Sequence, residues 1–298
     1  MPLRQEPEEI ICEPKAYLNE LMMDDNSGQP SAKEVFDTTP YTILVVDDNP
    51  DMTDFLKRTF EGYFKRIIIA GDGGEALQLV RSHVPDIIVS DVMMPRMNGY
   101  KLCKTIKEDI NISHIPVILL TARDDRQSQI SGYKNGADGY LSKPFEVEML
   151  MELIRNRLKN REYTKKRYLN AGLIPTPEES TISLTDETFL IKLNSIIQEN
   201  IENSNLGIQF ICQEVGLGRS SLYNKLKALT GMGANEYISK LRIEKAITLI
   251  SGTDMPFSEI AEKTGFTTPS YFSTAFKQYT GETPSQYKER KKKGLADK

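Results

Sequence analysis

The stretch "DIIVSDVMMPRMNG", residues 86–99, decides the fold. Ile87 to Ser90 are apolar or small and read as a buried strand. They run straight into a carboxylate, Asp91, before Pro95 and Gly99 close the segment. A charge at the mouth of an apolar strand is expensive unless something uses it. On either side, "TILVVD" (42–47), "RIIIA" (66–70), "PVILLT" (116–121) and "GYLS" (139–142) are further short apolar runs. Between the runs, apolar residues recur at three- and four-residue intervals, as in Leu56 and Phe60, in Ala76, Leu77 and Val80, and in Leu102, Cys103 and Ile106. Strands alternating with helical spacing predict an α/β fold, a doubly wound parallel five-stranded sheet with helices on both faces.

In such a sheet, ligands bind outside the carboxyl ends of the strands. The ends here carry Asp47 and Asp48, then Asp91, then Thr121, then Lys143. Three carboxylates brought together repel and call for a cation. Oxygen ligands that keep some water suit Mg²⁺. Lys143 offers a point charge for a phosphate, and Thr121 a hydroxyl for a phosphoryl oxygen. The set fits in-line attack of the Asp91 carboxylate on phosphorus. The blander alternative for the Asp47–Asp48 pair is a helix N-cap region.

Taken together, "ILVVDDN" (43–49), "SDVMMPRMNG" (90–99), "LLTA" (119–122) and "GADGYLSKPF" (136–145) resemble the receiver domain of two-component response regulators. The resemblance implies a flavodoxin-like fold with Asp91 as phosphoacceptor. It implies Asp48 as a direct metal ligand, Asp47 as a metal partner through water, and the Met93 carbonyl as a further ligand. Thr121 and Tyr140 match the family's switch pair.

Downstream the strands vanish. "TGMGANEY" (230–237) and "TGETPSQY" (280–287) repeat T-G-x₅-Y fifty residues apart, and Leu222 and Leu226 correspond to Phe272 and Phe276. Each copy reads as a helix-turn-helix, with "RSSLYNKLKAL" and "PSYFSTAFKQY" as the helices that would enter the major groove. A helix near residues 234–251 joins the copies, and Thr268 and Pro269 suit the start of the second reading helix. "GRSSLYNKLKALTG", "EYISKLRIEKAITLI" and "GFTTPSYFSTAFKQYTGETPSQYKE" resemble the AraC-type DNA-binding domain. The resemblance implies base-reading positions at Ser220, Tyr223 and Asn224, then Pro269, Ser270 and Thr274. Arg219 and Lys227 join them as exposed candidates for DNA contact. Short side chains predict few bidentate base contacts and more reading of DNA shape.

The charge distribution agrees with this division of labour: net −6 over residues 1–40, −1 over 41–160 and +5 over 203–293. Only the rear suits nucleic acid. No apolar run approaches the roughly 18 residues that cross a bilayer, so no membrane contact is expected. Cys12, Cys103 and Cys212 lie in unrelated contexts, which fits a reducing, cytoplasmic compartment and neither disulfide nor zinc. The expected domains are an acidic, proline-bearing linker (1–40), a receiver (41–160), a second linker (161–185) and an all-α domain with two helix-turn-helix units (186–298).

The combined expectation is a phosphorylation-dependent transcription regulator, not a true enzyme. A histidine kinase is expected to phosphorylate Asp91, and the chain to bind double-stranded promoter DNA, as a homodimer on phosphorylation. The module order resembles the C-terminal part of hybrid two-component sensors that control carbohydrate-use genes, and "MPL" (1–3) resembles the end of a kinase ATP-binding domain. The chain is therefore expected to be the tail of a larger protein. The rivals are an aspartyl-phosphate phosphatase or hydrolase, disfavoured by the attached DNA module, and a phosphate-independent architectural DNA binder, which would leave the crevice idle.

Overall fold

The computed structural model describes residues 36–122, 136–170 and 183–296. The acidic leader up to residue 35, with Cys12, and residues 171–182 of the second expected linker lie outside the described residues.

Strands β1 (Thr42–Val46), β2 (Arg66–Ala70), β3 (Ile87–Asp91), β4 (Val117–Ala122) and β5 (Gly139–Lys143) form one parallel sheet in the order β2-β1-β3-β4-β5. This is the doubly wound, flavodoxin-like order, and the winding reverses between β1 and β3. Every residue of β3 is buried. A parallel strand covered on both faces reads as a continuous apolar run instead of alternating, which is why "DIIVS" carried so clear a signal. Helices α1 (Pro50–Phe60), α2 (Gly73–His83) and α3 (Gly99–Glu108) connect the strands. Each turns its apolar stripe inward: Leu56 and Phe60, Ala76 and Val80, and Leu102, Cys103 and Ile106 are all fully buried.

Two stretches expected to be linker carry structure. Thr38 already donates to the Tyr63 carbonyl at 2.7 Å, so the last residues of the leader belong to the folded unit, which begins at Asp37. Helix α4 (Val147–Asn170) runs ten residues into the stretch read as a linker. Residues in and just after the basic run "REYTKKR" find long-range partners. Arg161 Nη1 reaches the Asp86 carbonyl at 3.1 Å, and Tyr168 is buried in the core of the helical region.

The helical region comprises α5 (Leu184–Glu199), α6 (Ile208–Val215), α7 (Arg219–Thr230), α8 (Ala234–Gly252), α9 (Phe257–Lys263), α10 (Pro269–Thr280) and α11 (Pro284–Ala296). It holds two cores. The first gathers Phe189, Leu193, Ile197, Ile211, Leu222, Leu226 and Tyr237. The second gathers Ile243, Ile250, Ile260, Phe272, Phe276 and Tyr287. Helix α8 feeds both, and its 19 residues make it about 28 Å long. The repeat is visible in the backbone: α7 and α10 both end on a glycine at positive φ, Gly231 at 75° and Gly281 at 81°, the left-handed cap that glycine adopts without steric cost. Among the described residues no helix is long and apolar enough to cross a membrane.

Candidate functional site

The carboxyl ends of β1, β3, β4 and β5 bring their chemistry to one crevice. The Lys143 ammonium lies 2.8 Å from Asp47 Oδ2 and 2.6 Å from Asp91 Oδ1. Asp47 and Asp91 are buried, whereas Asp48 is exposed. Neither aspartate of the pair is itself the cap of α1. The cap of α1 is Asn49, whose side chain accepts from the Asp51 amide at 2.9 Å. Asp47 instead accepts from the Asn49 amide at 2.9 Å and keeps its second oxygen for Lys143.

Asp91 Oδ2 accepts from the Met93 amide at 2.6 Å. The loop that follows is pressed against the strand end. A Cβ on Gly99 would stand 2.2 Å from the Asp91 carbonyl oxygen, so only glycine lets α3 start there. Gly99 therefore belongs to the crevice, and its place just behind β3 was the available sequence signal. Met93 is exposed at the rim.

Thr121 is buried, and its hydroxyl has no hydrogen-bond partner among the described residues. A buried hydroxyl left open in this way is costly and is available to a ligand at the crevice. Tyr140 lies half-buried against the sheet core. The β4–β5 register pairs Leu119 with Tyr140 and Thr121 with Ser142, so Thr121 and Tyr140 share one face of the sheet.

Burial alone would depress the Lys143 ammonium. The hydrogen bonds and charges of Asp47 and Asp91 outweigh that and hold its pKa above the ordinary lysine value. Three carboxylates against one ammonium leave the crevice two negative charges in excess. The donor set is all oxygen, which fits a hard divalent cation. Among the described residues no three His, Cys, Asp or Glu side chains are arranged as a ready metal cage, and Lys143 lies between Asp47 and Asp91.

The second candidate surface is the exposed side of α7 and α10. Leu222, Leu226 and Leu229 are buried in the first core, while Arg219, Ser220, Tyr223 and Lys227 are exposed and Asn224 is half-buried. On α10, Pro269, Ser270 and Thr274 are exposed, with Thr268 capping the helix through the Tyr271 amide at 3.2 Å. Lys227 and Thr274 line one cleft between α7 and α10. Lys225, which the sequence reading passed over, sits on the opposite side of α7 and is fully buried. Cys103 is a free thiol in the receiver core and Cys212 one in the first helical core, and burial raises Cys103 to about 12.

Comparison with known proteins gives two family matches, the response regulator receiver domain over residues 43–155 and a helix-turn-helix domain over residues 211–290. Histidine kinase P4 of Formosa agariphila is 41% identical over 249 residues, which are 84% of this chain and 18% of that protein. The DNA-binding response regulator MtrA of Mycolicibacterium smegmatis is 36% identical over 136 residues, 46% of this chain and 58% of that protein. The response regulator MprA of Mycobacterium sp. (strain KMS) is 36% identical over 165 residues, 51% of this chain and 70% of that protein. The chain thus spans less than two thirds of the first two relatives. The breadth of the match to MprA makes the chain a member of the two-component response regulators; in this chain a receiver domain precedes an AraC-type helix-turn-helix domain.

Proposed function

We propose that this chain is a transcription regulator controlled by phosphorylation of Asp91. One observation carries the reading: the Asp91 carboxylate lies 2.6 Å from the Lys143 ammonium, beside an unpartnered Thr121 hydroxyl, at the carboxyl end of the sheet. A histidine kinase is the phosphoryl donor. An Asp91 oxygen attacks the phosphorus of the phosphohistidine, the N–P bond breaks, and its electron pair stays on the imidazole. Lys143 neutralises one phosphoryl oxygen and Thr121 donates a hydrogen bond to another. Asp47, Asp48, Asp91 and the Met93 carbonyl are the residues that would hold Mg²⁺, which when bound supplies further positive charge at the phosphoryl oxygens. The excess of carboxylates over ammonium supports that assignment. Thr121 and Tyr140, on one face of the sheet, form the switch pair that responds to the new group.

In the same reading the phosphorylated chain binds double-stranded promoter DNA more tightly, as a homodimer. Ser220, Tyr223 and Asn224 of α7 and Pro269, Ser270 and Thr274 of α10 face the bases, while Arg219 and Lys227 serve the phosphates. The length of α8 supports reading helices in successive major grooves, about 34 Å apart. The receiver occupies residues from about 41 to 160 and the DNA-binding domain those from about 186 onward. The alignment with histidine kinase P4 is long enough to include parts of both modules. It favours a donor kinase in the same polypeptide, and a DNA target implies work in the cytoplasm. Control of carbohydrate-use genes follows from the resemblance in module order alone.

The test is intact-mass analysis after incubation with acetyl phosphate and Mg²⁺. One phosphoryl adduct is expected on the natural chain and none on Asp91→Asn. The same adduct on the Asn variant would move the acceptor elsewhere. Asp48→Asn should slow labelling and weaken its Mg²⁺ dependence.

A further inference from the structure

Lys225 belongs to the first reading helix but faces away from its reading side. It follows Leu222 by three residues and precedes Leu229 by four, so it falls on the apolar stripe, and its side chain is fully buried. The equivalent position in the second unit, fifty residues on, is Ala275. A buried ammonium must be paired and hydrogen-bonded, and the partners of Lys225 come from two modules. It forms an ion pair with Asp186 Oδ1 in the first turn of α5. It also donates to Ser113 Oγ at 2.8 Å, in the receiver segment between α3 and β4. Ser113 in turn donates to Asp186 Oδ1 at 2.7 Å, and Ser183 donates to Asp186 Oδ2 at 2.8 Å. Beside this cluster, Thr185 Oγ1 donates to the Lys107 carbonyl at 3.0 Å, and Ile110 packs on the first helical core.

The receiver side of the cluster is tied to the phosphoacceptor strand by one rigid element. Helix α3 starts at Gly99 against the Asp91 carbonyl and ends at Glu108. From its last turn, Lys107 Nζ donates to the Ile115 carbonyl at 2.9 Å and pairs with Asp138 at 2.7 Å. Among the described residues, those of the second core all come from the helical region. With the receiver docked, Arg219, Ser220, Tyr223 and Lys227 remain exposed.

We infer that Ser113, Asp186 and Lys225 form a latch by which the receiver grips the back of α7, so that the first helix-turn-helix unit, and not the second, is the one the receiver controls. The grip leaves the reading face open. It therefore acts by orienting α7 and not by covering it, and Lys225 is a positioning residue. The link to Asp91 rests on the phosphoacceptor reading, whereas the grip itself does not.

The experiment uses the full chain carrying Ser113→Arg, which sets a second cation against Lys225 and wedges the latch open. Ser113→Ala with Thr185→Ala is the milder companion, and removes these three receiver-to-helix hydrogen bonds without adding bulk. The first readout is amide deuterium uptake without any phosphodonor. Residues 219–230 should exchange several-fold faster in the variants, and residues 269–280 at the natural rate. Unchanged uptake at 219–230 in the milder pair, or an equal rise at 269–280, overturns the latch. The second readout is the ratio of DNA affinities with and without acetyl phosphate. The variants should take up phosphate at Asp91 normally, yet lose most of the natural chain's ratio. A preserved ratio also overturns the proposal. If the natural chain takes up no phosphoryl group, the phosphoacceptor reading has failed, and the uptake data alone decide the latch.

Discussion

The two helix-turn-helix units share a plan and differ in what stands behind the reading helix. Behind α10 is a stack of aromatic rings: Phe266, Phe272, Phe276 and Tyr287 meet edge-on or tilted, with centroids 5.4 to 5.7 Å apart. Behind α7 is a buried ion pair closed by a receiver serine. The aromatic backing makes the second unit self-contained, because apolar contact is satisfied locally and needs no particular partner. The polar backing makes the first unit conditional, because a buried charge holds only while its partners stay. A duplicated fold can thus divide its labour, with one copy anchoring and the other open to instruction.

The sharpest way to break this comparison is to empty each backing in turn. Phe276→Ala should cost about 3–5 kcal/mol, and Lys225→Met a similar amount, about 3–5 kcal/mol, because Asp186 is left as an uncompensated buried charge. The two losses should differ in their cure. Adding Asp186→Leu to Lys225→Met should recover most of the stability in chemical denaturation, whereas no single partner change restores Phe276→Ala. Failure of the double variant to recover would show that the pair contributes more than charge balance.

Next in size is base reading. Asn224→Ala should cost about 1–3 kcal/mol at its preferred base and relax preference there. Thr274→Ala should cost less, since its hydroxyl is occupied with the Ser270 carbonyl at 3.0 Å. Selection of DNA sequences by each variant checks both. Equal losses on all sequences would make Asn224 a backbone contact.

A titration separates the units further. His114 is buried beside the latch, and burial first, then the charges of Arg161, Lys225 and Lys107, opposed by Asp186, lower its pKa to about 3. Between pH 6.5 and 3 the unfolded chain takes up a proton that the folded chain refuses. Stability should therefore fall with pH across that window, by up to about 1.4 kcal/mol per unit. Asp186 adds to the loss at the acid end. Burial would raise its pKa, but Lys225 and its hydrogen bonds hold it below the usual carboxylate range, so its contribution disappears as pH falls through that lowered value. Denaturation midpoints from pH 7 to 4 should show a shallower slope in His114→Gln. The smallest expected effect is at the surface: Lys227→Ala should flatten the salt dependence of DNA binding by about 0.9 in log–log slope.

Much of this was readable in advance, and the reasons differ by region. The crevice was legible because each of its side chains sits at a strand end, and strand ends can be found from apolar runs. Helix α7 was legible because Leu222, Leu226 and Leu229 keep helical spacing. The extension of α4 past residue 160 was not, since Arg161 and Tyr168 earn their places through Asp86 and the first helical core, which are remote in sequence. Lys225 was half legible: its spacing put it on the apolar stripe, but a lysine is ordinarily solvated, and only Ser113 and Asp186 explain its burial. Gly99 was visible as a turn residue, yet its contact with the Asp91 carbonyl exists only in the folded chain.

The central claim is that the chemistry at Asp91 governs what α7 and α10 do to DNA. The direct measurement is the dissociation constant of the full chain for its selected DNA site, at one fixed salt concentration, with and without acetyl phosphate and Mg²⁺. The account predicts tighter binding with the phosphodonor for the natural chain and no change for Asp91→Asn. Equal affinities in both conditions for the natural chain, with the phosphoryl adduct present by mass, would contradict it.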